Sequence, residues 1–158
     1  MRKMLAIGAT KFLIWLGQAM NKQGSSTPGK IGLKIYPNLL KDLAAQVRED
    51  IFVVCGTNGK TTTNNLLCEA LRSEGKKVVC NSAGANMLYG IVTAFADSAS
   101  ISGKLNADCA CIEIDEASAR RAFPHFKPNY MVLTNLFRDQ LDRYGEIDIT
   151  MDVLKEAL

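Results

Sequence analysis

The stretch "VVCGTNGKTTTNNLL", residues 53–67, decides the fold. A β-branched run closes on Cys55, glycines stand at Gly56 and Gly59, and after Lys60 the residues Leu66, Leu67, Ala70 and Leu71 recur at helical spacing until Gly75 stops the pattern. Strand, glycine loop and helix in that order build a phosphate cradle. The glycines let the backbone approach an anion, successive amides point at it, and the helix dipole favours negative charge. Against the Walker pattern G-x-x-x-x-G-K-[ST], the stretch supplies Gly59, Lys60 and Thr61 but has Val54 where the first glycine should stand. That departure speaks against the usual GTPase or motor NTPase and for a variant loop. In it Lys60 reaches the terminal phosphates, Thr61 or Thr62 is positioned for magnesium, and Thr57 and Asn58 shape the turn.

A second stretch, "GSSTPGKI" at 24–31, has both glycines and the lysine in register. Its surroundings are wrong. "AMNKQ" before it is no strand, and the alternation of "IGLKIYP" with Pro37 opposes a helix after it. Pro28 has no N–H to give, and Ile31 has no hydroxyl for magnesium. This segment is expected to be a basic loop that merely fits the pattern.

Outward from the phosphate loop, "EDIFVVC" (49–55) and "ADCACIEID" (107–115) have the apolar, β-branched character of buried strands. "KKVVCN" (76–81) and "NYMVLTN" (129–135) add two more. Between them lie a helix near 87–97, with Leu88, Ile91, Val92 and Phe95 on one side, and a helical "EASARRAF" before the Pro124/Pro128 bend. A last helix, "ITMDVLKEAL", is still in progress at residue 158. Alternating strands and helices predict an α/β fold: a P-loop-containing, mostly parallel sheet with helices on both faces, preceded by a short basic N-terminal segment. The expected division is a basic helix and loop segment over 1–48 and an ATP-binding domain over 49–158 that is incomplete at its C-terminal end.

Composition supports a folded domain, since 47% of the 158 residues are hydrophobic, 22% are charged, and the mean hydropathy is +0.02. The net charge of +3 hides an asymmetry. Residues 1–48 carry eight Lys or Arg against one acid, Asp42, whereas residues 49–158 carry eleven against fifteen. A basic segment of this kind attracts anions or an anionic membrane surface. Within it "MLAIGATKFLIWLGQAM" is apolar, but Lys11 interrupts it, its uninterrupted pieces fall short of the ~20 residues of a membrane span, and no signal-type cleavage site follows. It is expected to form an amphipathic helix ending near Gly24, with Leu5, Phe12, Leu13 and Leu16 turned toward a packing partner or a membrane surface.

Five cysteines without CxxC spacing, Cys55, Cys68, Cys80, Cys109 and Cys111, sit in apolar runs as small hydrophobes and fit a reducing cytoplasm. Cys109 and Cys111 share one strand face, but two thiols without further ligands make a weak metal site. His125, the single histidine, is expected in a loop. At the end of the third strand "EIDE" offers two acids to a magnesium ion. Glu113 and Glu116 are both candidates, with helix capping by Asp115 and Glu116 as the competing role.

Three motifs together resemble one family. "GTNGKTT" after a strand, "EIDEAS" at 113–118 and "TNLFRDQLDRYGEID" at 134–148 are similar to the central ATPase domain of the Mur ligases, which join amino acids or amines to a carboxylate through an acyl phosphate. The usual third motif is TN-x-x-x-DH-x-D, and this chain has Gln140 where the histidine stands. With "STPGKIGLKIYPNLL", that variant resembles the branch of the family that amidates lipid II. The resemblance implies ATP and Mg²⁺ as cofactors, with zinc only in a cysteine-rich insertion downstream of this sequence. It implies Lys60 and Glu113 in catalysis, a nucleotide site formed by Gly56, Thr57, Asn58, Gly59, Lys60, Thr61, Thr62 and Asn135, and magnesium held by Thr61 and Glu113 with Glu116 in reserve. As partners it implies a GatD-like glutaminase subunit that supplies ammonia and lipid II at the membrane surface, with no nucleic acid and no transmembrane segment. Lys155 falls where several of these ligases carry a carbamylated lysine, but a lysine on a solvated helix face is the commoner explanation, and Lys155 is left out of the site. Two other functions remain open: another amino-acid ligase of the same family, acting on a nucleotide-linked or folate precursor, or a non-catalytic nucleotide switch, for which the third motif would be superfluous.

Overall fold

The computed structural model describes residues 1–20, 26–81 and 85–135. The expected last helix, Gln140, Lys155 and all of the third motif beyond Asn135 lie outside the described residues. Four strands, β1 (Ile51–Cys55), β2 (Val78–Cys80), β3 (Cys109–Glu113) and β4 (Tyr130–Leu133), form one sheet in the order β2-β3-β1-β4. Every pairing is parallel, with Val54 opposite Glu113 on one side of β1 and Cys55 opposite Leu133 on the other. The helices are α1 (Arg2–Ala19), α2 (Ser26–Ile35), α3 (Leu39–Ala44), α4 (Lys60–Ser73), α5 (Leu88–Ser98) and α6 (Glu116–Ala122).

Strand alternation sorts the core into two layers. Ile51, Val53 and Cys55 of β1, with Val79, Ala110 and Ile112, face a cluster that includes Ile91, Val92 and Phe95 of α5 and Leu39, Leu40 and Leu43 of α3. The opposite face, with Cys109, Cys111 and Glu113 of β3, is the one α4 covers. There Cys68, Cys80 and Cys111 meet. Hydrogen bonding to Cys111 and burial push the Cys68 thiol up to about 12, and contact with Cys68 together with burial pushes Cys80 up as well. Thiols held neutral in this way are packing groups rather than nucleophiles. Among the described residues no group of three or more His, Cys, Asp or Glu side chains could hold a metal ion.

Three details depart from the sequence expectations. Residues 26–35, expected as loop, are the helix α2. Pro28 is tolerated because it stands in the first helical turn, where a missing N–H breaks no intrahelical bond. Gly29 and Gly32 there serve close packing: a Cβ at Gly29 would lie 1.9 Å from the Tyr89 carbonyl oxygen of α5, and one at Gly32 would lie 2.6 Å from Thr10 Oγ1 of α1. Second, α4 turns Asn64 and Cys68 inward and leaves Leu66 67% exposed, so its apolar spacing does not mark its buried face. Third, among the described residues β4 stands at the edge of the sheet and half-exposed rather than buried, with Tyr130, Val132 and Leu133 open to solvent. The N-terminal helix is present but stops at Ala19, short of Gly24, and Ile7 and Ala6 pin it to the core while Leu5, Phe12 and Leu16 face outward. No described helix is long and apolar enough to cross a membrane.

Candidate nucleotide and metal site

β1 is central, so the loop that leaves it is flanked on both sides by the C-terminal ends of neighbouring strands, where parallel α/β sheets bind ligands. Gly56 and Gly59 both take positive φ, 126° and 80°. Gly59 is the N-cap of α4, and a Cβ on it would meet nothing within 4 Å. Gly56 is the reverse. A Cβ there would come within 2.3 Å of Thr134 Oγ1 and 2.7 Å of the Asn135 carbonyl oxygen, so the loop and the end of β4 touch backbone to backbone.

That contact is a strap of hydrogen bonds. The Thr57 amide donates to the Asn135 carbonyl (2.8 Å), the Asn58 amide donates to Asn135 Oδ1 (2.9 Å), and Asn135 Nδ2 and Thr134 Oγ1 both donate to the Asn58 carbonyl (2.9 and 2.8 Å). The amides of Thr57 and Asn58 are thus spent on the protein itself. The first-turn amides of Lys60, Thr61 and Thr62 have no partner inside α4 and remain for an anion. Lys60 folds back over the turn, its ammonium donating to the carbonyls of Gly56 and Thr57, so its charge sits inside the curl of the loop.

On the β3 side Glu113 reaches Thr61: the hydroxyl donates to Glu113 Oε2 at 2.7 Å. Glu113 is 3% exposed, and its placement is fixed by two asparagines. Asn81, buried at the end of β2, accepts from the Glu113 amide and donates to the Glu113 and Ala85 carbonyls, each at 2.8 Å. Asn86 donates to Glu113 Oε1 at 3.4 Å. The role of both asparagines in orienting Glu113 depends on contacts 27 and 32 residues away, which no local pattern reveals.

Glu116, 4% exposed, has no hydrogen-bond partner on either carboxylate oxygen. Capping of α6 falls to Asp115, whose side chain accepts from the Ala117 amide, so the capping role expected for Glu116 is not taken. Burial pushes the neighbouring Cys55 thiol up to about 12, with the Glu116 carboxylate adding to the shift and Lys60 opposing it. Glu116 therefore stands near the root of the phosphate loop. A buried, unpaired carboxyl group is costly unless a cation or a proton compensates it. The orphaned Glu116 oxygens and the Thr61–Glu113 pair fit a hard cation, and magnesium needs only one or two carboxylates beside water and phosphate oxygens. His125 lies in a turn after α6, and burial lowers its pKa.

The site thus joins the loop after β1, one acid from β3 and a strap from β4. Residues 54–156 match the Mur ligase middle domain. Over its full 158 residues the chain is 41% identical to "Lipid II isoglutaminyl synthase (glutamine-hydrolyzing) subunit MurT" of Staphylococcus aureus (strain COL), covering 35% of that protein. It is 41% identical over 136 residues to the subunit of the same name in Streptococcus pneumoniae (strain ATCC BAA-255 / R6), covering 86% of this chain and 30% of that one. It is also 31% identical over 104 residues to UDP-N-acetylmuramoylalanine–D-glutamate ligase of Thermoanaerobacter sp. (strain X514), which is 65% of this chain and 20% of that protein. Among solved structures, MurF from Acinetobacter baumannii superposes with a TM-score of 0.63 at 17% identity over 80% of this chain and 27% of that one, a likeness of fold alone. The chain spans about a third of the length of the MurT relatives it matches. On its sequence match and on its fold, the chain belongs to the Mur ligase family by way of the middle domain.

Proposed function

We propose that this chain is the nucleotide-binding part of an ATP-dependent carbon–nitrogen ligase that amidates the D-glutamate α-carboxylate of the lipid II stem peptide to D-isoglutamine, with ammonia drawn from a GatD-like glutaminase subunit. The observation that carries the reading is the Thr61–Glu113 hydrogen bond at the mouth of the glycine loop, which brings a hydroxyl and a carboxylate together beside Lys60. Names of the staphylococcal and pneumococcal relatives support the substrate and the glutamine-dependent partner.

Phosphoryl transfer to a carboxylate brings two anions together, so the protein contributes chiefly positioning and charge neutralisation. Bound magnesium would screen the phosphate charge. Thr61 and Glu113 are the residues to hold it, with Glu116 as a further acid behind them. Lys60 supplies positive charge to the terminal phosphates, and the first-turn amides of α4 bind phosphate oxygens. Gly56, Thr57, Asn58 and Asn135 keep the turn in shape, so Asn135 acts on the nucleotide through the loop. In this reading residues 1–48 are a basic N-terminal segment, residues 49–158 are the first part of the ATP-binding domain, and any zinc belongs to a downstream insertion. The setting is the cytoplasm, peripheral to the inner face of the membrane.

The test is reconstitution of the full-length protein that contains this chain with the glutaminase subunit and lipid II, reading amidated product by mass spectrometry. Product should require ATP, Mg²⁺ and glutamine together. Glu113→Gln should lower nucleotide affinity about 10- to 100-fold in Mg²⁺ and leave it unchanged in EDTA. Tight Mg-ATP binding with no amidated product under any of these conditions would sink the ligase reading.

A further inference from the structure

We propose that the outward face of α1 is a membrane-docking surface that lies in the headgroup region of an anionic bilayer. At 100° per residue the solvent side of this helix carries Met4, Leu5, Phe12, Trp15 and Leu16, with no charged side chain among them. Leu5 is 64% exposed, Phe12 58% and Trp15 61%, and the last two rings lie side by side with centroids 6.0 Å apart. The inward side, Ala6, Ile7 and Thr10, is already committed to α2 and the core. Among the described residues the outer face is left uncovered.

Charge and chemistry choose the occupant. Residues 1–41 contain seven Lys or Arg and no Asp or Glu. Arg2 on α1 and Lys30 and Lys34 on the adjoining α2 are exposed and form no ion pair among the described residues. Lys11 is tied to Asp97, donating to its carbonyl and lying 3.8 Å from its carboxylate. Apolar side chains with aromatic rings, bordered by cations, are the composition of helices that lie in the interface of anionic membranes. A protein partner would also be expected to meet hydrogen-bonding groups, about one per 100–200 Å² of interface, and this face offers only the Trp15 indole N–H from its side chains, a group that also suits the headgroup level of a membrane. The inference gives the peripheral placement proposed above a physical surface, and rests on that reading only for which membrane is met.

Trp15 is the single tryptophan, so it reports from the middle of the face. The chain is titrated, without nucleotide or glutamine, with phosphatidylglycerol/phosphatidylcholine vesicles and with phosphatidylcholine alone. Trp15 emission should shift to the blue, be quenched by lipids brominated in the acyl chains, and show about tenfold tighter binding to the anionic vesicles, falling as salt rises. Leu5→Glu with Phe12→Glu, both at exposed positions, should abolish the shift without lowering Tm. Three results would each overturn the inference: no shift at low salt, binding that survives the double substitution, or a blue shift that depends on protein concentration without lipid and accompanies a doubled mass. The last would mean that a second copy covers the face. Bromolipid quenching of the unsubstituted chain decides the matter even if the double variant folds poorly, and failure of amidation leaves this outcome untouched.

Discussion

Two segments of this chain come close to the same phosphate-loop pattern, and the fold uses them in opposite ways. Gly59 takes φ 80° over open space, whereas Gly29 is a helical residue pressed so close to Tyr89 that a Cβ would lie 1.9 Å from its carbonyl oxygen. Lys60 curls onto the carbonyls of its own turn, and Lys30 stands in solvent on the outside of α2. One glycine leaves room for a ligand, the other for a helix. The pattern of letters is therefore not the site. A strand feeding the turn and a helix leaving it are what aim the amides at one point.

The comparison can be broken most forcefully at the lysines. Lys60→Ala should weaken Mg-ATP binding by about two orders of magnitude in calorimetric titration, in line with the loss of a group aimed at developing charge. Lys30→Ala should leave that binding constant unchanged, and equal losses would mean that the second segment also meets nucleotide. The glycines sharpen it next. Gly29→Ala should cost about 1–3 kcal/mol by overpacking and lower Tm by roughly 2–4 °C per kcal/mol, with nucleotide affinity of the folded protein retained. Gly59→Ala meets no steric obstacle but must hold a left-handed φ, at about 1–2 kcal/mol, and should weaken nucleotide binding as well as lower Tm. The smallest effect is expected at Asn135→Ala, which removes two hydrogen bonds to Asn58. Their loss, about 1–3 kcal/mol together, falls mainly on the stability of the loop, and nucleotide affinity should fall only roughly three- to tenfold while Lys60 and Glu113 remain in place.

How far the letters carried depended on whether the determinant was local. The β1–loop–α4 unit, the buried β3 and the acid at its end were legible because apolar runs, positive-φ glycines and a strand-end carboxylate all act within a few residues. α2 was not legible, since Pro28 and the glycines look like turn residues until α1 and α5 are seen packing against them. The buried face of α4 was misjudged because Cys68 packs beneath it on Cys80 and Cys111 while Leu66 does not. The unpaired burial of Glu116 and the asparagine supports of Glu113 are tertiary facts, made by chain segments that meet only after the sheet has formed.

The strap between the phosphate loop and the end of β4 carries a consequence for how such sequences can drift. Gly56 leaves no space for a side chain because Thr134 and Asn135 lie against it, and those two residues hold the very peptide groups that Gly56 sets in place. Seventy-odd positions apart in the chain, the glycine and the Thr-Asn pair make a single evolutionary character. Among descendants of this domain, a replacement at one should be found only in company with a replacement at the other.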